Sequence, residues 1–167
     1  MALAIVVPLG PRVGSSFILQ EAAKAGFNAL GSDLCYPPEG NKDGYYEIDP
    51  FDIPGLTTGL VKCWPQGLPF LLERPACIVT VQRRSLSNQV LSIREQARRE
   101  AEHYAALGCA ELSEAVLAAD PMSIIREAWE AWDGYRKAGI PQLNLFTEQL
   151  DQDIEGCLSF LRTYSDG

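Results

Sequence analysis

Short apolar runs alternate with longer stretches whose apolar positions recur at helical spacing. Residues 2–8 are nearly all apolar and predict a buried strand. Ser16 to Ala25 follows with Phe17, Ile18, Ala22 and Ala25 on one face, and Gly26 is its predicted stop. Phe27 to Leu30 is a short apolar piece, read as a minor strand. Gly59 to Trp64 predicts a second strand ended by Pro65, and Gln66 to Glu73 has room for one or two helical turns. Ala76 to Val81 is the clearest interior strand. A long helix is predicted from about Leu86 to Leu107, with Val90, Ile93, Ala97, Ala101 and Tyr104 inward. Its other face carries Arg94, Glu95, Arg98, Arg99, Glu100 and Glu102, and Gly108 stops it.

Three further elements complete the pattern. Glu111 to Ala118 predicts a shorter helix. Asp120-Pro121 supplies an N-cap followed by proline at the first helical position, opening a helix with Ile124, Ile125, Ala128, Trp129 and Trp132 inward. Gln142 to Phe146 is the last strand, and Thr147 caps a final helix with Leu150, Ile154, Leu158 and Leu161 on one face. Strands alternating with helices imply an α/β fold: a mostly parallel central sheet with helices on both faces. Ligands in such sheets bind beyond the C-terminal ends of the strands. Residues 31–58 are rich in Gly, Pro, Asp and Asn and are too long for a plain connection; loops of that length usually carry function.

Bulk properties narrow the field. A chain of 167 residues is read as a single domain, 1–167, with the long loop inserted at about 31–58. Apolar content of 47% and charged content of 22% are those of a globular protein. The net charge of −8 argues against nucleic-acid or anionic-membrane partners. No segment approaches a membrane span, and no basic region precedes the first apolar run as in a signal peptide. The five cysteines are scattered without a C-x-x-C pair, beside one histidine, His103. That pattern predicts reduced thiols, a cytoplasmic setting and no metal site.

The stretch with chemical content joins the first strand to the first helix: Gly10-Pro11-Arg12-Val13-Gly14-Ser15-Ser16. A helix start has N–H groups without intrahelical partners, and the helix dipole adds positive potential there. A glycine-bearing turn can point further N–H groups into the same concavity. Gly14 permits close backbone approach, Arg12 adds a fixed charge, and Ser15 and Ser16 add hydroxyls. The alternative is an ordinary βα turn with an N-cap serine. Lys62 falls at the end of the second strand and Arg84 beyond the third, so positive groups cluster at three strand ends. Ser92 lies eight residues after Arg84, within reach of the same anion; singly, each is equally a surface residue.

Taken in order, these segments resemble the sulfotransferase superfamily, especially its small bacterial and phage-type members. Pro11-Arg12-Val13-Gly14-Ser15-Ser16 is similar to the family's 5′-phosphosulfate loop. Asn41-Lys42-Asp43-Gly44-Tyr45-Tyr46-Glu47 is similar to an Asn-Pro-x-Gly-Tyr/Phe-x-Glu segment, and Leu60-Val61-Lys62-Cys63 to a Val-Leu-Lys-Asp strand. Arg84 with Ser92 resembles the 3′-phosphate pair, and Phe146 to Leu150 with Phe160-Leu161 the late strand–helix segment. Val13 stands where the family has serine, Cys63 where it has aspartate, and Gly10 is displaced by one place. The resemblance implies a three-layer, P-loop NTPase-like fold and transfer of a sulfuryl group from 3′-phosphoadenosine 5′-phosphosulfate (PAPS), a small-molecule donor, to a hydroxyl or amine acceptor. It implies donor binding by Gly10, Pro11, Arg12, Val13, Gly14, Ser15, Ser16, Arg84 and Ser92, and catalysis by Arg12, Lys62 and Glu47.

The residues also separate two phosphate chemistries. Gly10 and Gly14 are too close for G-x-x-x-x-G-K-[ST], no lysine follows Gly14, and Val79 to Gln82 carries no aspartate for magnesium. Metal-independent sulfuryl transfer fits better than a kinase. Glu47 is the leading base for an acceptor hydroxyl or amine, ahead of Asp33 and Asp49. A P-loop-fold binding or scaffold module without catalysis stays open, and a nucleotide or small-molecule kinase is the third reading.

Overall fold

In the computed structural model, residues 2–31, 56–71, 74–136 and 139–165 are described. The chain runs β1 (Leu3–Pro8), α1 (Ser15–Lys24), β2 (Gly59–Lys62), β3 (Cys77–Gln82), α2 (Leu86–Ala106), α3 (Ala110–Ala118), α4 (Pro121–Tyr135), β4 (Gln142–Phe146) and α5 (Leu150–Ser165). A 3₁₀ segment, Pro65–Phe70, follows β2, and a 3₁₀ turn, Thr147–Gln149, leads into α5. The fold is α/β, with a four-stranded, all-parallel sheet in the order β2-β1-β3-β4.

Why the first strand is apolar throughout follows from its place. Ala4 and Val6 belong to one core, with Ile18, Leu19, Ala22, Leu158 and Leu161 of α1 and α5. Leu3, Ile5 and Val7 point the other way, into a core with Leu68, Trp132 and Ile140. Period-2 alternation therefore reaches two apolar layers, and neither face of β1 tolerates a polar side chain. At its far end α1 closes with Gly26 in the left-handed region, at φ 91°. Phe27 N–H donates to Ala22 O and Gly26 N–H to Ala23 O, the paired bonds that glycine after a helix makes available.

The strand order positions the site. From β1 the chain leaves toward β2, then crosses back over β1 to β3. Connections after β1 and β3 thus diverge to opposite sides, and the crevice between them is where ligands bind in open parallel sheets. Gly10–Ser16 and Arg83–Arg84 flank that crevice.

Several expectations need correction. Phe27–Leu30 is not a strand; it makes one parallel bridge, Ala29 to Leu60. Trp129 does not face inward but is 39% exposed, whereas Ile125, Ala128 and Trp132 are buried. On α2 the buried positions are Gln89, Ile93 and Ala101, with Val90, Ala97 and Tyr104 only half-buried. Helix α3 packs on α2 and buries none of its own side chains. Most of the long loop, 32–55, lies outside the described residues, and Glu47, Asp33 and Asp49 lie outside with it. No described helix is long and apolar enough to cross a membrane.

Candidate functional site

Between β1 and α1 the backbone takes the left-handed region three times in five residues: Gly10 at φ 96°, Arg12 at 65° and Gly14 at 82°. Arg12 is the only described non-glycine residue there, a conformation that costs about 1 kcal/mol and needs fixing by its surroundings. The surroundings supply it through the carbonyl oxygens. Gln89 Nε2 donates to Leu9 O at 3.3 Å and to Pro11 O at 3.1 Å. Arg83 Nε donates to Arg12 O at 2.7 Å. The Thr147 hydroxyl donates to Val13 O at 2.6 Å and lies 3.1 Å from Gln82 O. Gly14 O accepts from Phe17 N–H at 3.1 Å, inside the first turn of α1.

A trans peptide unit is planar, with its N–H pointing opposite to its C=O. Tying down the carbonyls of residues 9, 11, 12 and 13 therefore aims the N–H groups of Gly10, Arg12, Val13 and Gly14 the other way. Among the described residues these four, and Ser15 at the helix start, donate to no protein acceptor. Helix α1 opens on Gly14 with no side-chain cap and no acidic residue in its first turn. The result is a run of backbone donors at the positive end of a helix dipole, the arrangement that binds an oxyanion.

Side chains add charge around this run. Lys62 is buried at the end of β2, opposite Val6, and its Nζ donates to Ser16 Oγ at 3.1 Å. That bond ties the second strand to the first turn of α1 and holds an ammonium beside the loop. Arg12, exposed, reaches Ser92 on α2, with Nε 3.4 Å from Oγ. Ser92 is thus joined to Arg12. The guanidinium of Arg84 instead stacks 4.7 Å from the Phe146 ring centre and contacts Gln149 Oε1. Its backbone N–H donates to Glu148 Oε2 at 3.1 Å. Burial pushes the Glu148 carboxyl up, but N–H groups of Arg84, Glu148 and Ser85 and the charge of Arg83 outweigh it, leaving the group below its ordinary value.

Of the residues expected from sequence, the structure brings Gly10, Pro11, Arg12, Val13, Gly14, Ser15, Ser16, Lys62 and Ser92 together at the ends of β1 and β2 and along α2. Arg84 stands at the rim, against β4. His103 lies far along α2 with its ring against Tyr104. Burial pushes Cys77 up to about 11 and Cys157 up to about 12, so both stay thiols at neutral pH and make poor nucleophiles. Among the described residues no cluster of three or more His, Cys, Asp or Glu side chains could hold a metal ion.

Sequence reasoning missed Gln89, placed Arg83 only as a strand-end charge beside Arg84, and expected Thr147 to cap the final helix, whereas its hydroxyl instead holds the Val13 and Gln82 carbonyls. Gln89 had a signal. It lies four residues before Ile93 on the inward stripe of α2, and a polar side chain at a buried helix position needs partners of its own. Comparison with known protein families, with curated proteins and with solved structures found no match to this chain.

Proposed function

We propose that this α/β chain is a P-loop NTPase-like domain of the cytoplasm that binds PAPS and transfers its sulfuryl group to a hydroxyl or amine. The observation that carries the reading is the loop with its carbonyls tied back and its amides open, beside Arg12 and Lys62. That combination supplies fixed donors and monovalent positive charge, and so favours a phosphosulfate over a magnesium-bound triphosphate. The loop amides and the Ser15 and Ser16 hydroxyls hold the 5′-phosphosulfate. Ser92 takes the 3′-phosphate together with Arg84, once Arg84 has exchanged its contacts to Gln149 and Phe146.

In transfer, the acceptor oxygen or nitrogen bonds to sulfur as the bond from sulfur to the bridging oxygen breaks. Negative charge gathers on that oxygen, where Arg12 and Lys62 stabilise it. The acceptor's proton passes to a base, a role the resemblance gives to Glu47. Calorimetry with adenosine 3′,5′-bisphosphate tests the site. Saturable binding, weakened at least tenfold by Arg12→Ala, is expected; no binding at millimolar ligand contradicts the reading.

A second reading is a binding module of the same fold without catalysis. It is favoured by one observation: Arg84 is engaged by Phe146, Gln149 and Glu148 rather than by Ser92. Bisphosphate binding with no sulfuryl transfer across hydroxyl and amine acceptors selects it over the enzyme.

A further inference from the structure

We propose that Gln89 is the positioning residue that sets the polarity of the anion loop, acting as a matched pair with Gly10. The inference rests on the donor-site reading above and extends it to a residue that touches no ligand. Gln89 is only 2% exposed and lies in the first turns of α2. Both of its amide hydrogens are spent on carbonyls two residues apart, Leu9 and Pro11. Each carbonyl shares a rigid plane with the next N–H. One side chain therefore fixes the direction of two loop amides, those of Gly10 and Arg12.

Position 10 shows how closely the pair fits. A Cβ built on Gly10 would stand 2.6 Å from Gln89 Nε2 and 3.2 Å from Ile125 Cγ1. Gly10 is also at φ 96°, which L side chains rarely adopt. Any side chain there pushes the amide off its two carbonyls. Released carbonyls are then able to turn into the concavity, where an acceptor oxygen repels a phosphate or sulfate. Only an uncharged double donor does this work without altering the charge of the site. A lysine would add charge, and a carboxylate would face two acceptors with none of its own protons.

Gln89→Glu turns that last point into a test. At neutral pH the carboxylate repels both carbonyls. At low pH the protonated acid donates one hydrogen bond and restores part of the loop. Arg12 and Arg83 are the charged groups at the same loop, Arg83 Nε donating to Arg12 O. Affinity for adenosine 3′,5′-bisphosphate is measured on folded protein from pH 7.5 down to pH 5 and expressed as the ratio of variant to wild type, which removes the probe's own titration. Expected is about a tenfold loss at pH 7.5 that shrinks toward pH 5. Gln89→Met, without a titrating group, loses affinity with no recovery, and Gly10→Ala adds little to it because both break one contact.

A Gln89→Glu protein that binds as wild type does at every pH, or a Gln89→Met protein that is less heat-stable but binds normally, overturns the inference while leaving the donor site intact. If Gln89→Glu does not fold, Gln89→Met and Gly10→Ala decide by the same criterion. Wild-type protein that fails to bind the bisphosphate removes the donor-site reading itself, and this inference with it.

Discussion

Three helices of this protein start in three different ways. Helix α2 begins at Ser85, whose hydroxyl accepts from Asn88 N–H at 3.2 Å, and the Glu148 carboxylate sits on the neighbouring Arg84 N–H. Helix α4 begins at Asp120, which accepts from Met122 and Ser123 N–H at 3.2 and 3.1 Å. Helix α1 begins at Gly14 and has no side-chain cap. The first two satisfy orphan donors from side-chain caps within the chain; the third leaves Gly14 and Ser15 open and adds three more, Gly10, Arg12 and Val13, from the preceding loop. A missing cap costs about 1 kcal/mol. At α1 that cost accompanies a non-glycine residue in the left-handed region and side chains that hold the loop carbonyls away. Helix α3 also opens without a side-chain cap; what sets α1 apart is the tied-back loop before it and the buried Lys62 beside it, the combination we propose as a binding site.

The largest expected effect comes from closing α1. Gly14→Ala places a Cβ 2.8 Å from Leu150 Cδ1 at a φ of 82°, so stability should fall by about 2 kcal/mol or more in denaturant unfolding. Bisphosphate affinity should fall with it, because the loop can no longer sit on the helix start. A smaller effect is expected where the cap is internal. Asp120→Ala should cost about 1 kcal/mol of stability and leave anion affinity unchanged. Should Asp120→Ala weaken binding as much as Gly14→Ala does, the two helix starts are not functionally distinct.

The smallest effect concerns the charge that closes α2. The Glu148 carboxyl lies below its ordinary value when folded, so its contribution is present above about pH 4.3 and is lost as pH falls through the folded value. Glu148→Gln should therefore remove a small amount of stability at pH 7, small because the group is exposed, and none once pH is below the folded value, which flattens the acid limb of the stability curve. An unchanged acid limb would show that this carboxylate is not held by the start of α2.

How much of this was legible in the sequence depends on the kind of information. Strands buried on both sides, such as Leu3–Pro8 and Cys77–Gln82, are written as continuous apolar runs and were placed within a residue or two. The Asp120-Pro121 start and the Gly26 stop were legible because local chemistry decides them. The loop was recognisable as a glycine-serine turn near positive residues, but its polarity was not. That polarity depends on Gln89, Arg83 and Thr147, which lie 71 to 134 residues away from the carbonyls they hold. Arg84 and Ser92 were paired by their spacing, yet Phe146 and Gln149 draw Arg84 toward β4, a neighbour that only the strand order reveals. Trp129 was assigned inward by helical period, but only three of that stripe's five members are buried.

The most direct measurement of the difference between helix starts is an amide ¹⁵N–¹H titration of the full chain with adenosine 3′,5′-bisphosphate. The expected result is saturable shifts concentrated on Gly10, Arg12, Val13, Gly14 and Ser15, with Asn88, Met122 and Ser123, whose amides are already donated to caps, holding still. Shifts centred on the starts of α2 or α4, or no shifts at millimolar ligand, would contradict the claim that the uncapped start of α1 is the anion site.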